Sequence, residues 1–226
     1  MAKAILYIPH KNQKKIHDSI NNGPEKYYIL NIGRQFGKTL LATNQLLYWA
    51  LNNKNVKCAW VSPTYKQSKK VFDEMYKAFQ KRPEIYRTVN RSELLLEYAS
   101  GSTIQFFSAE RYDNIRGFTF EYLVCDEFAF MSEQAWTEVL RATVLVKGRK
   151  ILLISTPKGR NHFYKLYQMD GYNPQYKSFT MTSYDNPIII PSEIDDARQT
   201  LPDHVFRQEY LAEFIDGGAG MFKDVQ

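Results

Sequence analysis

Cysteine is scarce in this sequence, long apolar runs are missing, and each absence removes a class of explanation. Two cysteines, Cys58 and Cys125, in 226 residues build neither a disulfide framework nor a cysteine metal cluster. Both sit in apolar strand-like runs, VKCAWV and YLVCDE, where a small buried thiol in a reducing cytosol is the expected state. No stretch approaches the roughly 18 apolar residues that span a bilayer, so no membrane partner is expected. The opening MAKAILYIPHKNQ has too short an apolar core, and no small-residue cleavage site, for a secretory signal. Repeats and low-complexity tracts are missing too, which excludes solenoid and linker-dominated architectures.

What remains is ordinary globular composition, 44% hydrophobic and 24% charged, long enough for a sizeable core. Lys and Arg number 30 against 24 Asp and Glu, a net charge of +6. That excess leans toward a polyanionic partner without requiring one. Basic residues cluster in 77–91 and 146–160, and either cluster taken singly is also what a solvated face looks like.

Along the chain, apolar strand-like runs alternate with amphipathic ones, the signature of an α/β fold with a mostly parallel sheet. YYILNI (27–32) reads as a buried strand leading through GRQFG into a helix over about 38–52, with Leu40, Leu41, Leu47, Trp49 and Leu51 supplying apolar faces. VKCAWVS (56–62) is a second strand. The helix after it carries Val71, Phe72, Met75 and Phe79 at helical spacing. ELLLEYASGSTIQFFSA reads as a hairpin turning at Ser100-Gly101. A polar loop, ERYDNIRGFTF, leads to the strand EYLVCDEF and a helix near SEQAWTEVLRATV capped by Ser132. KILLIST and YKSFTMTS are further strands around a short helix, HFYKLYQM, and the end is helical through PSEIDDARQTL and DHVFRQEYLAEF. Residues 1–215 thus form one domain, and the glycine-rich 216–226 reads as a linker.

The chemistry starts at GRQFGKT. A phosphate-binding loop presents successive backbone N–H groups to an anion at a helix N-terminus, where the helix dipole adds to the attraction. Gly37 supplies the turn before Lys38, Lys38 reaches the β- and γ-phosphates, and the Thr39 hydroxyl can ligate Mg²⁺. The first glycine of the usual frame is replaced by Ile32, with Gly33 one step along. That weakens the pattern match but leaves the mechanism intact.

The second half of such a site is an apolar strand ending in acid, and YLVCDE is one. Asp126 can hold Mg²⁺ and Glu127 can deprotonate the attacking water. KILLIST places Ser155 and Thr156 at a third strand's carboxyl end. If that strand lies between the other two, its hydroxyls face the γ-phosphate of ATP.

With these motifs the sequence resembles the ATPase domain of large terminase subunits, the viral motors that drive double-stranded DNA into capsids. GRQFGKT is similar to that family's variant loop, with Arg34 and Gln35 before x-G-K-T, YLVCDE to its metal and glutamate strand, and ISTP to its coupling motif. YIPHKNQ resembles the family's adenine-reading motif with Gln13 in the glutamine's place, and YDNP…LPDHVFRQEYLAEF resembles the stretch that closes the domain. The resemblance implies a P-loop NTPase fold of the additional-strand, catalytic-glutamate (RecA-like) type: a mostly parallel central sheet flanked by helices, here with a β-hairpin insertion. It implies Arg34 as an arginine acting in cis and Arg116, in NIRGF, as one reaching a neighbouring subunit's ATP, with Gly117 letting that loop turn.

It also implies ATP and Mg²⁺ as cofactors and a homo-oligomeric ring on a capsid portal. A small terminase subunit as partner, and host cytoplasm with transient docking on the procapsid as location, follow the same way. DNA would be held by its backbone regardless of sequence, with Lys81, Arg82 and Arg87 as candidate contacts. The family continues into a nuclease, so 216–226 is expected to lead toward that domain, and no DNA cleavage is expected of this one.

Two rivals stay open at this point. A helicase-type ATPase shares the upstream glutamine, GKT, DE and a Ser/Thr motif, but needs a second lobe carrying an arginine. A non-hydrolytic nucleotide-binding module would bind ATP and be indifferent to Glu127→Gln. A small-molecule kinase fits less well, because nothing resembles an acceptor-binding lid.

Overall fold

The computed structural model describes residues 7–216, so apart from Asp216 the expected linker lies outside the described residues. The strands are β1 (Tyr27–Ile32), β2 (Lys57–Ser62), β3 (Tyr86–Asn90), β4 (Leu95–Tyr98), β5 (Thr103–Ser108), β6 (Tyr122–Asp126), β7 (Lys150–Ser155) and β8 (Tyr176–Met181). They form one sheet in the order β3-β4-β5-β2-β6-β7-β1-β8. From β5 to β8 every pairing is parallel, while β3, β4 and β5 pair antiparallel as a meander at one edge. β6 and β7 fill the gap that the chain leaves in crossing from β1 to β2. β7 therefore lies between β6 and β1, which is the insertion the sequence anticipated.

The continuous apolar runs follow from burial on both faces. Tyr28, Leu30, Cys58, Trp60, Val124, Leu152 and Ile154 point to one core, and Ile29, Ala59, Val61, Leu123, Cys125, Ile151 and Leu153 to the other. The first core is roofed by α1 (Lys11–Asn22), α2 (Lys38–Asn52) and α3 (Tyr65–Ala78). The second is closed by a helical segment and by α5 (His162–Tyr167), with Trp136, Val139 and Phe163 buried beneath them. That helical segment begins with Ser132 accepting from Ala135 N–H at 3.2 Å, as its expected cap. α6 (Pro191–Thr200) and α7 (Asp203–Glu209) are the last helices among the described residues. Among the described residues no helix is long and apolar enough to cross a membrane.

Four expectations need correction. The 132–144 helix is π-wound over Ala135–Leu140, with α winding only before it, at residues 133–134, and in its last turn, α4 (Arg141–Thr143). Leu40 and Leu51 of α2 are exposed, while Leu41, Leu47 and Trp49 are buried, so the apolar stripe is narrower than its leucines suggest. The hairpin is two strands of a three-stranded meander, because Tyr86–Asn90, inside the basic cluster, pairs with β4. The final helix stops at Glu209, and Ala212 has φ 56°, left-handed backbone that cannot continue a helix.

Candidate nucleotide-binding and hydrolysis site

β1 ends at Ile32 and the chain turns over the sheet's carboxyl edge before α2 begins at Lys38. Two residues of that loop are left-handed: Gln35 with φ 59° and Gly37 with φ 90°. The backbone conformation calls for glycine at Gly37, and a Cβ there, 2.7 Å from Gln13 Nε2, would also displace the Gln13 carboxamide. Gly33 is required by proximity alone, since a Cβ would stand 2.5 Å from the Tyr210 carbonyl oxygen.

Distant segments hold the loop from behind. Gly33 N–H donates to Met181 O at 2.9 Å and Arg34 N–H to Glu209 O at 2.7 Å. Ser183 Oγ donates to Arg34 O and Asn186 Nδ2 to Gln35 O, both at 2.7 Å. Gln13 is buried in the first turn of α1, its carboxamide oxygen accepting from His10 N–H at 3.1 Å and its nitrogen donating to Gly37 O at 3.2 Å. Its polar ends thus meet the backbone of its own helix cap and of the loop.

The front of the loop faces the two acids. Lys38 Nζ lies 3.2 Å from Glu127 Oε1, and Thr39 Oγ1 donates to Asp126 Oδ2 at 3.1 Å. The register that pairs Asn31 with Ser155 and Asp126 with Ile154 brings the three strand ends to one edge. Asp126 is buried and its Oδ1 has no hydrogen-bond partner. Burial, then the neighbouring Glu127 charge, pushes its pKa up to about 7, against the pull of Lys38 and Thr39. A buried carboxylate oxygen left without a partner is costly unless something else satisfies it, and a divalent cation on Asp126 and Thr39 fits that donor set.

Glu127 is itself left-handed, φ 52° and ψ 43°. Ser155 Oγ lies 3.4 Å from Glu127 Oε2, and Thr156 lines the same cleft. That cleft measures about 610 Å³ and is walled also by Arg34, Gln35, Gly37, Lys38, Thr39 and Glu127.

Arg34 pairs with Glu209 Oε2 at 2.6 Å, and that bond raises its already high pKa. Arg116 does not line the cleft; it is exposed and pairs with Asp113 at 2.7 Å and Glu138 at 3.5 Å. Lys81, Arg82 and Arg87 are exposed beyond α3, with Arg82 paired to Glu84 and Arg87 to Glu97.

Sequence reasoning missed part of the wall. Leu40, Pro63, Thr64, Gln67 and Phe130 also line the cleft. Thr64 and Gln67 form the capping box of α3, and their T-x-x-Q spacing was a readable signal. Glu209, Ser183 and Asn186 lie too far along the chain for any local pattern to tie them to the loop.

A family model for the N-terminal part of the T4likevirus-type large terminase subunit matches residues 29–225. The chain belongs to that family. The large terminase subunit of Thermus phage G20c is 28% identical over 252 aligned residues, covering 96% of this chain and 50% of the relative. The chain thus spans about half the length of that curated relative. The ATPase domain of the Thermus phage P74-26 large terminase superposes with a TM-score of 0.78 at 28% identity, over 92% of this chain and 95% of that one. The large terminase of a thermophilic bacteriophage, solved in complex with ADP, gives a TM-score of 0.75 at 18% identity, over 91% of this chain and 53% of that one. At that identity the likeness establishes shared fold. The terminase fold is α/β, a mostly parallel sheet flanked by helices, as the sequence implied.

Proposed function

We propose that this chain is the ATP-hydrolysing domain of a motor that drives double-stranded DNA into a viral capsid, with Mg²⁺ required for turnover. The observation that carries the proposal is the buried, half-partnered Asp126 beside Thr39, with Lys38 and Glu127 joined at 3.2 Å on the rim of one cleft. Family membership and the relatives' printed descriptions support it.

In the proposed reaction the loop amides and Lys38 receive the β- and γ-phosphates. Thr39 and Asp126 would hold Mg²⁺, which when bound neutralises charge on those phosphates. Lys38 leaves Glu127 for phosphate, and the freed carboxylate takes a proton from the attacking water. Water's oxygen bonds to the γ-phosphorus as the bond to the β-phosphate oxygen breaks, giving ADP and inorganic phosphate. Arg34 neutralises charge that develops on the γ-phosphoryl group. Ser155 orients Glu127, and Thr156 faces the leaving phosphate. Gln13 sets the loop through Gly37, and its reading of the adenine would need a rearranged carboxamide.

Arg116, exposed and outside the lining of its own cleft, is assigned to a neighbouring subunit's ATP in a ring docked on a portal in the host cytoplasm, with a small subunit as partner. Lys81, Arg82 and Arg87 are assigned to the DNA backbone, and no DNA cleavage is assigned to this domain. The test is ATP turnover per subunit against protein concentration, with and without duplex DNA of unrelated sequences. The proposal expects a rate that climbs with concentration, falls in Arg116→Ala and ignores DNA sequence. Absence of turnover at every concentration, with DNA present, would overturn it.

A further inference from the structure

Glu127 opens a tight turn whose backbone is gripped by side chains from one downstream segment. Ser155 Oγ accepts from Ala129 N–H at 3.2 Å. Asn161 Nδ2 donates to Ala129 O at 2.8 Å. His162 Nε2 lies 3.2 Å from Phe128 O. A carbonyl oxygen only accepts, so Nε2 carries the hydrogen and the tautomer is fixed. His162 is buried, which lowers its pKa and keeps the ring neutral near neutral pH. Phe128 is fully buried against the imidazole, ring centroids 4.9 Å apart. Neither Asn161 nor His162 lines the cleft.

A non-glycine residue in left-handed backbone is disfavoured and persists where its surroundings over-determine it. At Glu127 the surroundings include these bonds, beside the turn's own Phe130 N–H to Glu127 O at 3.0 Å and Met131 N–H to Phe128 O at 3.1 Å. The two carbonyls that follow it, of residues 128 and 129, are each held by a side chain of consecutive residues, 161 and 162. Asn161 does a second job: its Oδ1 accepts from Phe163 N–H at 3.0 Å, capping α5. Holding both carbonyls fixes the 128–129 and 129–130 peptide planes, and Phe130 N–H, donating to Glu127 O at 3.0 Å, passes that restraint back to the backbone from which the carboxylate leaves.

We propose that Asn161 and His162 are positioning residues that lock the turn behind Glu127 and so aim its carboxylate at the γ-phosphate side of the cleft. The proposal rests on Glu127 being the general base. It predicts that loosening the turn removes catalysis while leaving nucleotide binding in place, because the loop and Lys38 are not part of the grip.

The experiment uses Asn161→Ser, His162→Ala and His162→Gln. Serine keeps an N-cap acceptor for α5 but is too short to reach Ala129 O. Glutamine restores an N–H at a reach comparable to Nε2. Amide hydrogen exchange over residues 128–131 and ATP turnover are measured beside ATP affinity and melting temperature. The expected result for Asn161→Ser and His162→Ala is faster exchange confined to 128–131 and kcat lower by about 10²-fold. ATP affinity should stay within about twofold, and His162→Gln should recover most of both losses.

Wild-type exchange in the turn would overturn the proposal, as would faster exchange with undiminished turnover. Parallel loss of affinity and melting temperature without rescue by glutamine would reduce the two residues to ordinary structure and overturn it too. Glu127→Gln is the control. Full turnover in that variant would remove the general-base assignment, while the exchange measurement would still decide whether residues 161 and 162 hold the turn.

Discussion

Lys38 and Glu127 are each other's partner, with ammonium nitrogen and carboxylate oxygen 3.2 Å apart. On the proposed reading, the cation that would receive phosphate and the base that would activate water hold one another until a triphosphate displaces the carboxylate. Glu127→Gln removes the competitor for Lys38. ATP should bind that variant as tightly as the parent or up to about fivefold tighter, since a partly exposed pair is worth no more than about 1 kcal/mol. Titration calorimetry checks this, and weaker binding would contradict it.

Asp126 sets a pH dependence with a definite sign. Its pKa is raised from 3.8 to about 7 by burial first and by Glu127 second, so the folded state binds this proton more tightly than the unfolded one. The stability it contributes is fully present below about pH 4 and is lost as pH rises through about 7. With divalent cations chelated, Asp126→Asn should flatten melting temperature across pH 5–8. It should also raise stability near pH 8 by on the order of a few kcal/mol. An unchanged slope in that variant would show that Asp126 does not carry it.

Gly33 is a matter of contact. A Cβ there would stand 2.5 Å from Tyr210 O and 3.0 Å from Ser183 N, both backbone atoms that cannot swing aside. Gly33→Ala should cost about 1–3 kcal/mol and weaken nucleotide binding by shifting the loop that Ser183 and Asn186 hold. Thermal melting with and without ATP reads both effects.

Arg34 should separate stability from rate. Its pair with Glu209 is largely exposed on the arginine side, 61% against 14%, so Arg34→Ala should change stability by less than about 1 kcal/mol. If the guanidinium meets charge only as the γ-phosphoryl group departs, turnover should fall by on the order of 10³-fold with ATP affinity nearly intact. Equal losses in affinity and rate would assign Arg34 to ground-state binding.

Much of the sheet and the front of the site were legible because their signals are local. YYILNI, KILLIST and YLVCDE are continuous apolar runs, as strands covered on both faces must be, and the acids and hydroxyls fall at their carboxyl ends. β3 was hidden because Tyr86–Asn90 is an edge strand with no fully buried side chain, so neither alternation nor an apolar run marks it. The π-winding of Ala135–Leu140 leaves helical composition unchanged and is invisible in periodicity. The back of the site was hidden for another reason. Ser183, Asn186 and Glu209 reach the loop across 149 to 175 residues of sequence, and only the folded sheet, which sets β8 beside β1, brings them there.

The central claim is that Lys38, Asp126 and Glu127 surround one triphosphate and that Glu127 activates the water. Phosphate release and ATP affinity, measured side by side for the parent chain, Lys38→Ala and Glu127→Gln at saturating Mg²⁺, test it most directly. Lys38→Ala should lose affinity and turnover together. Glu127→Gln should keep affinity and lose turnover by about 10²–10⁴-fold, whereas turnover at the parent rate in Glu127→Gln would contradict the account.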